Sequence, residues 1–183
     1  VDHLEAFADA AYLFDSRVQA TPAAAWGDAS PCEGWTARDV VAHVAGNLRG
    51  LRAALDGGDF AEAAGRPLDA DPAEVWATEV AGLDALVKKA EGAAMLTLRG
   101  REMPVGLLLD ALMRDMVVHT WDLARAVGGD EHLPEDLVDA ATTAMGLVTE
   151  QMRRPGLYGP AVEAPAGADA QTRLLALSGR RTA

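Results

Sequence analysis

The chain has 183 residues, 50% hydrophobic but only 5% aromatic, and its 16 basic against 28 acidic side chains leave a formal charge of −12. That length fits one domain with a core of its own, and the acidity argues against nucleic acid or an anionic membrane surface as partner, since both select basic patches. The one cysteine, Cys32, excludes an internal disulfide framework, so packing must hold the fold.

Leu4, Phe7, Ala11, Phe14 and Val18 recur at three- and four-residue steps, which predicts an amphipathic helix over about residues 2–20. Pro22, Gly27, Pro31 and Gly34 then mark an ordered loop. Thr36 can cap a second helix, with Asp39 three residues on in a weaker version of the capping box; this helix runs to about Leu55 and carries His43 two turns inside it. Gly57 and Gly58 stop it, and the Ala-, Gly- and Asp-rich stretch that follows reads as a loop. In "DPAE", Asp71 caps, Pro72 takes the first helical position and Glu74 is the reciprocal partner of a third helix extending to about Glu91.

"MLTLRGREMPVG" alternates briefly around Gly100, as a short hairpin or an extended connection would, and is too short to define a sheet. A fourth helix is expected from near Pro104 to Val127, ended by Gly128 and Gly129. A fifth, from Pro134 to about Arg154, shows Val138, Ala141, Met145, Val148 and Met152 on one face before Pro155 and Gly156. The tail begins as coil and includes a short helix around Leu174 to Leu177. Ala- and Leu-rich helices joined by moderate loops give an all-α bundle. Residues 1–156 are expected to form it and residues 157–183 a C-terminal extension packed on the same domain. No apolar run approaches the roughly 18 residues of a membrane span, and the first residues lack signal-peptide architecture. The expected setting is soluble and cytoplasmic.

The stretch "RDMVVHTWDLARAVGG", residues 114–129, places Asp115, His119 and Asp122 on a helix face that should be buried, where an unpaired charge or imidazole costs several kcal/mol. Asp115 and His119 lie four apart and project from one face. His43 is the only other histidine inside a strong helix pattern. If the second and fourth helices are neighbours, the trio supplies two imidazoles and a carboxylate with open positions, a site type of zinc hydrolases and non-haem iron oxygenases. The competing reading is an ordinary carboxylate–histidine ion pair. Asp122, one turn further, either orients a ligand imidazole or bonds a loop amide or arginine. Trp35 and Trp121 read as packing elements, with a site wall as the alternative. Cys32 reads as a small buried hydrophobe, and His3 and His132 as exposed. Arg38, Arg49, Arg114 and Arg125 are within reach of a bound ligand, although acid-rich helices can pair all of them.

"SPCEGWTARDVVAHVAG" and "DMVVHTWDLARAVGG" resemble the two signature stretches of the DinB-like superfamily, in its branch of mycothiol-dependent maleylpyruvate isomerase-like metal-binding proteins. The tail "LYGPAVEAPAGADAQTRLLALSGR" resembles the ending of an actinobacterial subfamily of that branch. The resemblance implies a DinB-like four-helix bundle core with an additional helix and a C-terminal tail, and a metal held by His43, Asp115 and His119. Asp115 stands where the superfamily often has histidine and the isomerase has glutamate. The implied ion is divalent, zinc first, with nickel and iron as alternatives, and the implied cosubstrate is a low-molecular-weight thiol such as mycothiol or bacillithiol. The expected activity is that of a thiol S-transferase or isomerase acting on a small electrophilic metabolite. The rivals are a metal-dependent hydrolase, lyase or cyclase of a specialised metabolite, working through oxygen, and a non-catalytic metal-binding module. A monomer or homodimer is expected.

Overall fold

Side-chain caps mark several of the helix starts in the computed structural model, which describes residues 2–67, 70–146 and 160–182. Helix α1 (His3–Ala20) begins where Asp2 accepts from the Leu4 amide. A 3₁₀ turn (Ala23–Gly27) leads into α2 (Ala37–Leu55), which opens with a complete capping box: the Thr36 hydroxyl receives the Asp39 amide while the Asp39 carboxylate receives the Thr36 amide at 2.8 Å. Between them, Ala29 bridges Thr36 and a turn from Cys32 to Trp35 closes on Gly34, whose φ of +78° suits glycine. That small closed loop fixes Cys32 and Trp35 beside the start of α2.

The stretch after Gly58, expected as loop, contains a further helix, α3 (Phe60–Ala64). Asp59 caps it by accepting from the Glu62 amide at 2.8 Å, and the helix survives at five residues because it lies on α2. Gly46 and Gly50 make room for it: a Cβ on Gly46 would sit 2.5 Å from the Ala64 carbonyl oxygen, and one on Gly50 would strike the Phe60 ring. The third expected helix is broken in two, α4 (Pro72–Ala81) and α5 (Leu83–Glu91). Asp71 caps α4 and Pro72 takes the first turn as expected, but the cap accepts from the Ala73 amide and does not form the expected reciprocal pair with Glu74. The break at Gly82 has a tertiary cause, because the Arg52 guanidinium from α2 binds both the Glu79 carboxylate and the Glu79 carbonyl, the acceptor a continuous helix would give to Leu83.

Met95–Leu98 (β1) and Arg101–Pro104 (β2) form the hairpin, turning on Arg99 and Gly100, both at positive φ as a tight two-residue connection requires. Helix α6 (Val105–Val127) follows directly and ends at Gly128 in the left-handed region. Helix α7 spans Glu135–Met145; the rest of the expected fifth helix, with Val148, Met152 and the Pro155–Gly156 stop, lies outside the described residues. Helix α8 (Ala170–Leu177), capped by Asp169, packs on α7.

Four elements make the bundle. Helix α6 lies against α1 and α2, and both of these in turn lie against the α4–α5 segment, so the ring runs α1, α6, α2, α4–α5, with α7 added outside α6. Phe7, Phe14, Leu48, Leu51, Trp76 and Met116 fill the centre with almost no exposure. Phe14 meets Trp76 edge-on with ring centres 4.8 Å apart, and the Trp76 indole N–H donates to Asp15 at 2.9 Å. Among the described residues no helix is long and apolar enough to cross a membrane. For function, the decisive contact is that of α2 with α6.

Candidate metal centre

Packing α2 on α6 brings His43 against Asp115 and His119. The His43 Nε2 lies 2.9 Å from Asp115 Oδ2, and His119 Nε2 lies 3.6 Å from Asp115 Oδ1. The two imidazole rings meet edge to face with centres 4.9 Å apart. One donor atom from each of the three residues falls within 4.8 Å of the others. Their exposure is graded: the side chains of His43 and Asp115 keep 34% and 21% of their surface, that of His119 7% and that of Asp122 none, so the cluster opens to solvent on the His43 side.

Two of the three donors are steadied by a further side chain. Asp122 Oδ2 lies 2.9 Å from His119 Nδ1; an ionised carboxylate only accepts, so Nδ1 carries a proton and Nε2 is the ring nitrogen that faces Asp115. Asn47, one turn after His43 on the same face of α2, donates its amide to Asp115 Oδ2 at 2.8 Å. Trp35 covers one side, stacked on His119 at 5.8 Å and 18° and tilted over His43 at 5.2 Å. It is thus a wall of the site. Trp121 instead lies in the core with Arg125 over its ring.

The electrostatics follow from this geometry. Burial pushes the Asp115 carboxyl upward, but the neighbouring His119 and His43 rings outweigh it and hold the group far below the usual carboxylate range. Burial pulls His43 down, while the Asp115 charge and hydrogen bond more than reverse this and leave it raised. For Asp122 burial again opposes ionisation, and the hydrogen bond from His119 together with Arg180 lowers it.

Sequence reasoning missed two residues of the cluster, Arg180 and Asn47. Arg180 Nη2 donates to Asp122 Oδ2 at 2.8 Å and its Nε to Oδ1 at 3.2 Å. The arginines singled out from sequence go elsewhere: Arg38 to the Ala70 carbonyl, Arg49 to Glu79 and the Arg66 carbonyl, Arg114 to the Ala144 carbonyl, and Arg125 to Glu131 and the Thr182 carbonyl. Asn47 carried a signal that went unread, since its spacing from His43 puts both on one helix face. Arg180 sits in a tail, 58 residues from Asp122, where no periodicity points to it. His3 pairs with Asp110 and His132 is exposed, both away from the cluster.

Cys32, His119 and Asp122 form a second convergent group. Here a guanidinium already fills the cation's place: Arg180 Nη2 lies 3.2 Å from Cys32 Sγ, and Cys32 Sγ 3.3 Å from Asp122 Oδ2. Burial and the Asp122 charge, partly offset by Arg180, push the Cys32 thiol up to about 12. It is a neutral, packed thiol, and the His43–Asp115–His119 trio is the better metal site.

Comparison with known proteins agrees with this arrangement of helices. Two solved structures, a crystal structure of the mycothiol-dependent maleylpyruvate isomerase and that of a histidine-to-alanine mutant of it, superpose with TM-scores of 0.56 and 0.60 at 20% sequence identity over 76% of this chain. The chain matches 66% of the length of that isomerase, so the likeness is one of fold, the all-α DinB-like bundle. Uncharacterized proteins from two strains of Mycobacterium tuberculosis are 31% identical over 134 residues, 71% of this chain and 70% of theirs. Residues 7–124, which run from within α1 into α6 and include His43, Asp115, His119 and Asp122, match the family described as the mycothiol maleylpyruvate isomerase N-terminal domain, and the chain belongs to that family.

Proposed function

We propose that the protein is a metal-dependent enzyme in which His43, Asp115 and His119 hold a divalent ion, zinc first, and that it catalyses thiol transfer to, or isomerisation of, a small electrophilic metabolite with a mycothiol-type thiol as cosubstrate. The observation that carries this reading is the convergence of two imidazole Nε2 atoms and a carboxylate between α2 and α6, with His119 oriented from behind by Asp122. The donor set fits. His43 Nε2 lies 2.9 Å from one Asp115 oxygen and His119 Nε2 3.6 Å from the other, and one donor atom from each of the three residues falls within 4.8 Å of the others, close enough for all three to share an ion. Three protein donors and an open side leave a position for substrate. When bound, the ion lowers the pKa of a coordinated thiol, which free in solution has a pKa of about 8.5 and is only a few per cent ionised at neutral pH.

The chain's own residues do the rest. His43 must give up its Nε2 proton to act as a donor, so metal loading weakens as pH falls. Asn47 keeps Asp115 turned toward the imidazoles, and Trp35 shields one side of the cluster from water. Cys32 is unsuited as nucleophile, because its thiol stays protonated and is held by Asp122 and Arg180. The attacking sulfur therefore comes from the cosubstrate. Family membership and the isomerase fold support this choice over the hydrolase, lyase or cyclase reading.

The test begins with metal analysis of protein purified without a histidine tag. His43→Ala and His119→Ala should each reduce bound metal well below one equivalent while the bundle stays folded; equal metal in wild type and both variants overturns the site. Cobalt-substituted protein should then develop a sulfur-to-cobalt charge-transfer band with mycothiol. An unchanged spectrum with mycothiol, bacillithiol, glutathione and cysteine eliminates the thiol and leaves the oxygen-based chemistries.

A further inference from the structure

Arg180 approaches the site from the far end of the chain. Helix α8 ends in a double helix stop: the Gly179 amide returns to the Ala176 carbonyl at 3.0 Å and the Arg180 amide to the Leu175 carbonyl at 2.8 Å, with Gly179 at φ +82°. That stop fixes the backbone of Arg180, and its Nη1 is anchored on the Ser178 carbonyl at 2.7 Å. The remaining guanidinium edge is free to meet Asp122 with two parallel donors, the fork geometry that arginine alone provides. The tail around it is docked independently, by Gln171 bonding the Leu133 amide and the Glu131 carbonyl and by the Val162 amide bonding the Ala176 carbonyl. Such anchoring exceeds what a solvent-facing ion pair needs, and it ends on a carboxylate with no exposed surface whose other contacts are the Cys32 thiol and a metal-facing histidine.

We infer that Arg180 is a positioning residue of the metal site: by clamping both oxygens of Asp122 it holds that carboxylate where it accepts the Nδ1 proton of His119, and so keeps His119 Nε2 aimed at Asp115 and His43. The C-terminal segment is thereby a working part of the site, carrying the outermost member of a chain that runs Arg180, Asp122, His119. Without the fork Asp122 is free to turn about its side-chain bonds. An imidazole that lacks a fixed acceptor on Nδ1 distributes its proton over both nitrogens, and each molecule with the proton on Nε2 presents a donor hydrogen where a lone pair is needed. The inference rests on the metal reading for its functional meaning, but the state of His119 is observable without metal.

The experiment compares wild type, Arg180→Gln, Arg180→Lys and the exposed control Arg181→Gln. Long-range ¹⁵N–¹H correlation at mildly alkaline pH reads the His119 tautomer in metal-free protein, and competition with a chromophoric chelator reads zinc affinity. Wild type and Arg181→Gln should show a single Nδ1–H tautomer. Arg180→Gln should show a mixture and a zinc affinity lower by about 10–100-fold, the range for loss of a supporting partner, and Arg180→Lys should fall between, since it restores charge without the fork. Hydrogen exchange at Leu174 and Leu175 reports whether the tail stays docked. If Arg180→Gln loosens the tail but leaves His119 a single Nδ1–H tautomer, or if its zinc affinity stays within twofold of wild type, Arg180 only docks the tail and the inference is overturned. Failure of the metal reading looks different: wild type itself would then bind no zinc through His43 and His119, while the tautomer comparison would still decide whether Arg180 positions His119.

Discussion

Asp122→Asn removes one charge and almost no volume from the centre of that chain, and its cost can be worked from the contacts. Asp122 accepts on both oxygens: Oδ1 from Arg180 Nε at 3.2 Å, and Oδ2 from Arg180 Nη2 at 2.8 Å, His119 Nδ1 at 2.9 Å and Cys32 Sγ at 3.3 Å. An amide offers one oxygen and one NH₂, so one of these positions must now face hydrogen with hydrogen. The cheaper orientation keeps oxygen at the crowded position and leaves Arg180 Nε without its acceptor, a loss of about 1–3 kcal/mol. Removing one partner of a buried ion pair costs about 3–5 kcal/mol, but Arg180 keeps 18% of its side-chain surface in water, which places the expected total near ~3 kcal/mol, toward the lower end. Because His119 retains an oxygen, although a neutral one, zinc affinity should fall only about tenfold, or ~1.4 kcal/mol. Asp122→Leu, with no acceptor at all, should approach about a hundredfold. Urea unfolding of chelator-treated protein measures the first quantity and chelator competition the second. Zinc affinity of Asp122→Asn within twofold of wild type, or Asp122→Leu binding as tightly as Asp122→Asn, would refute the reasoning.

Three further outcomes follow from other parts of the molecule. Gly46→Ala forces a methyl to within 2.5 Å of the Ala64 carbonyl oxygen; overpacking of about 1–3 kcal/mol should exceed the gain of about 1 kcal/mol in helix propensity, and an unchanged or raised melting temperature would count against the α2–α3 contact. Trp76→Ala empties a fully buried site beside Phe14 and frees Asp15, so chemical denaturation should show a loss of about 3–5 kcal/mol. Cys32, its thiol pushed up to about 12 by burial and Asp122, should alkylate slowly through pH 7–9 and accelerate only far above the ~8.5 of a free thiol. The sign for stability is the same: the raised folded value favours the fold fully below the unfolded pKa of about 8.5, and that contribution is lost as pH rises toward 12. Fast labelling at neutral pH, matching that of a free thiol, would contradict the packed environment.

What the sequence determined by itself is what local chemistry governs. The caps at Thr36 and Asp71, the Gly128 stop and the spacing of Asp115, His119 and Asp122 depend on residues within about two turns of one another, and each sits where its pattern places it. Helix α3 was also locally encoded in its Asp59 cap, but five residues are too few to hold a helix alone, and only packing against Gly46 and Gly50 makes it form. Tertiary structure alone decided the rest. The split at Gly82 is made by Arg52, which takes the Glu79 carbonyl from 27 residues away. That α2 and α6 are neighbours, and hence that His43 meets the other two donors across 72 residues of chain, follows from the order of helices around the bundle rather than from any one helix. Trp35 becomes a wall of the site only because its loop closes over the start of α2. The partner that buried Asp122 required was evident as a need, since an isolated carboxylate cannot remain ionised without exposure. Its identity, Arg180, was set by the docking of α8, because periodicity records which face of a helix is covered and carries no information about which distant residue covers it.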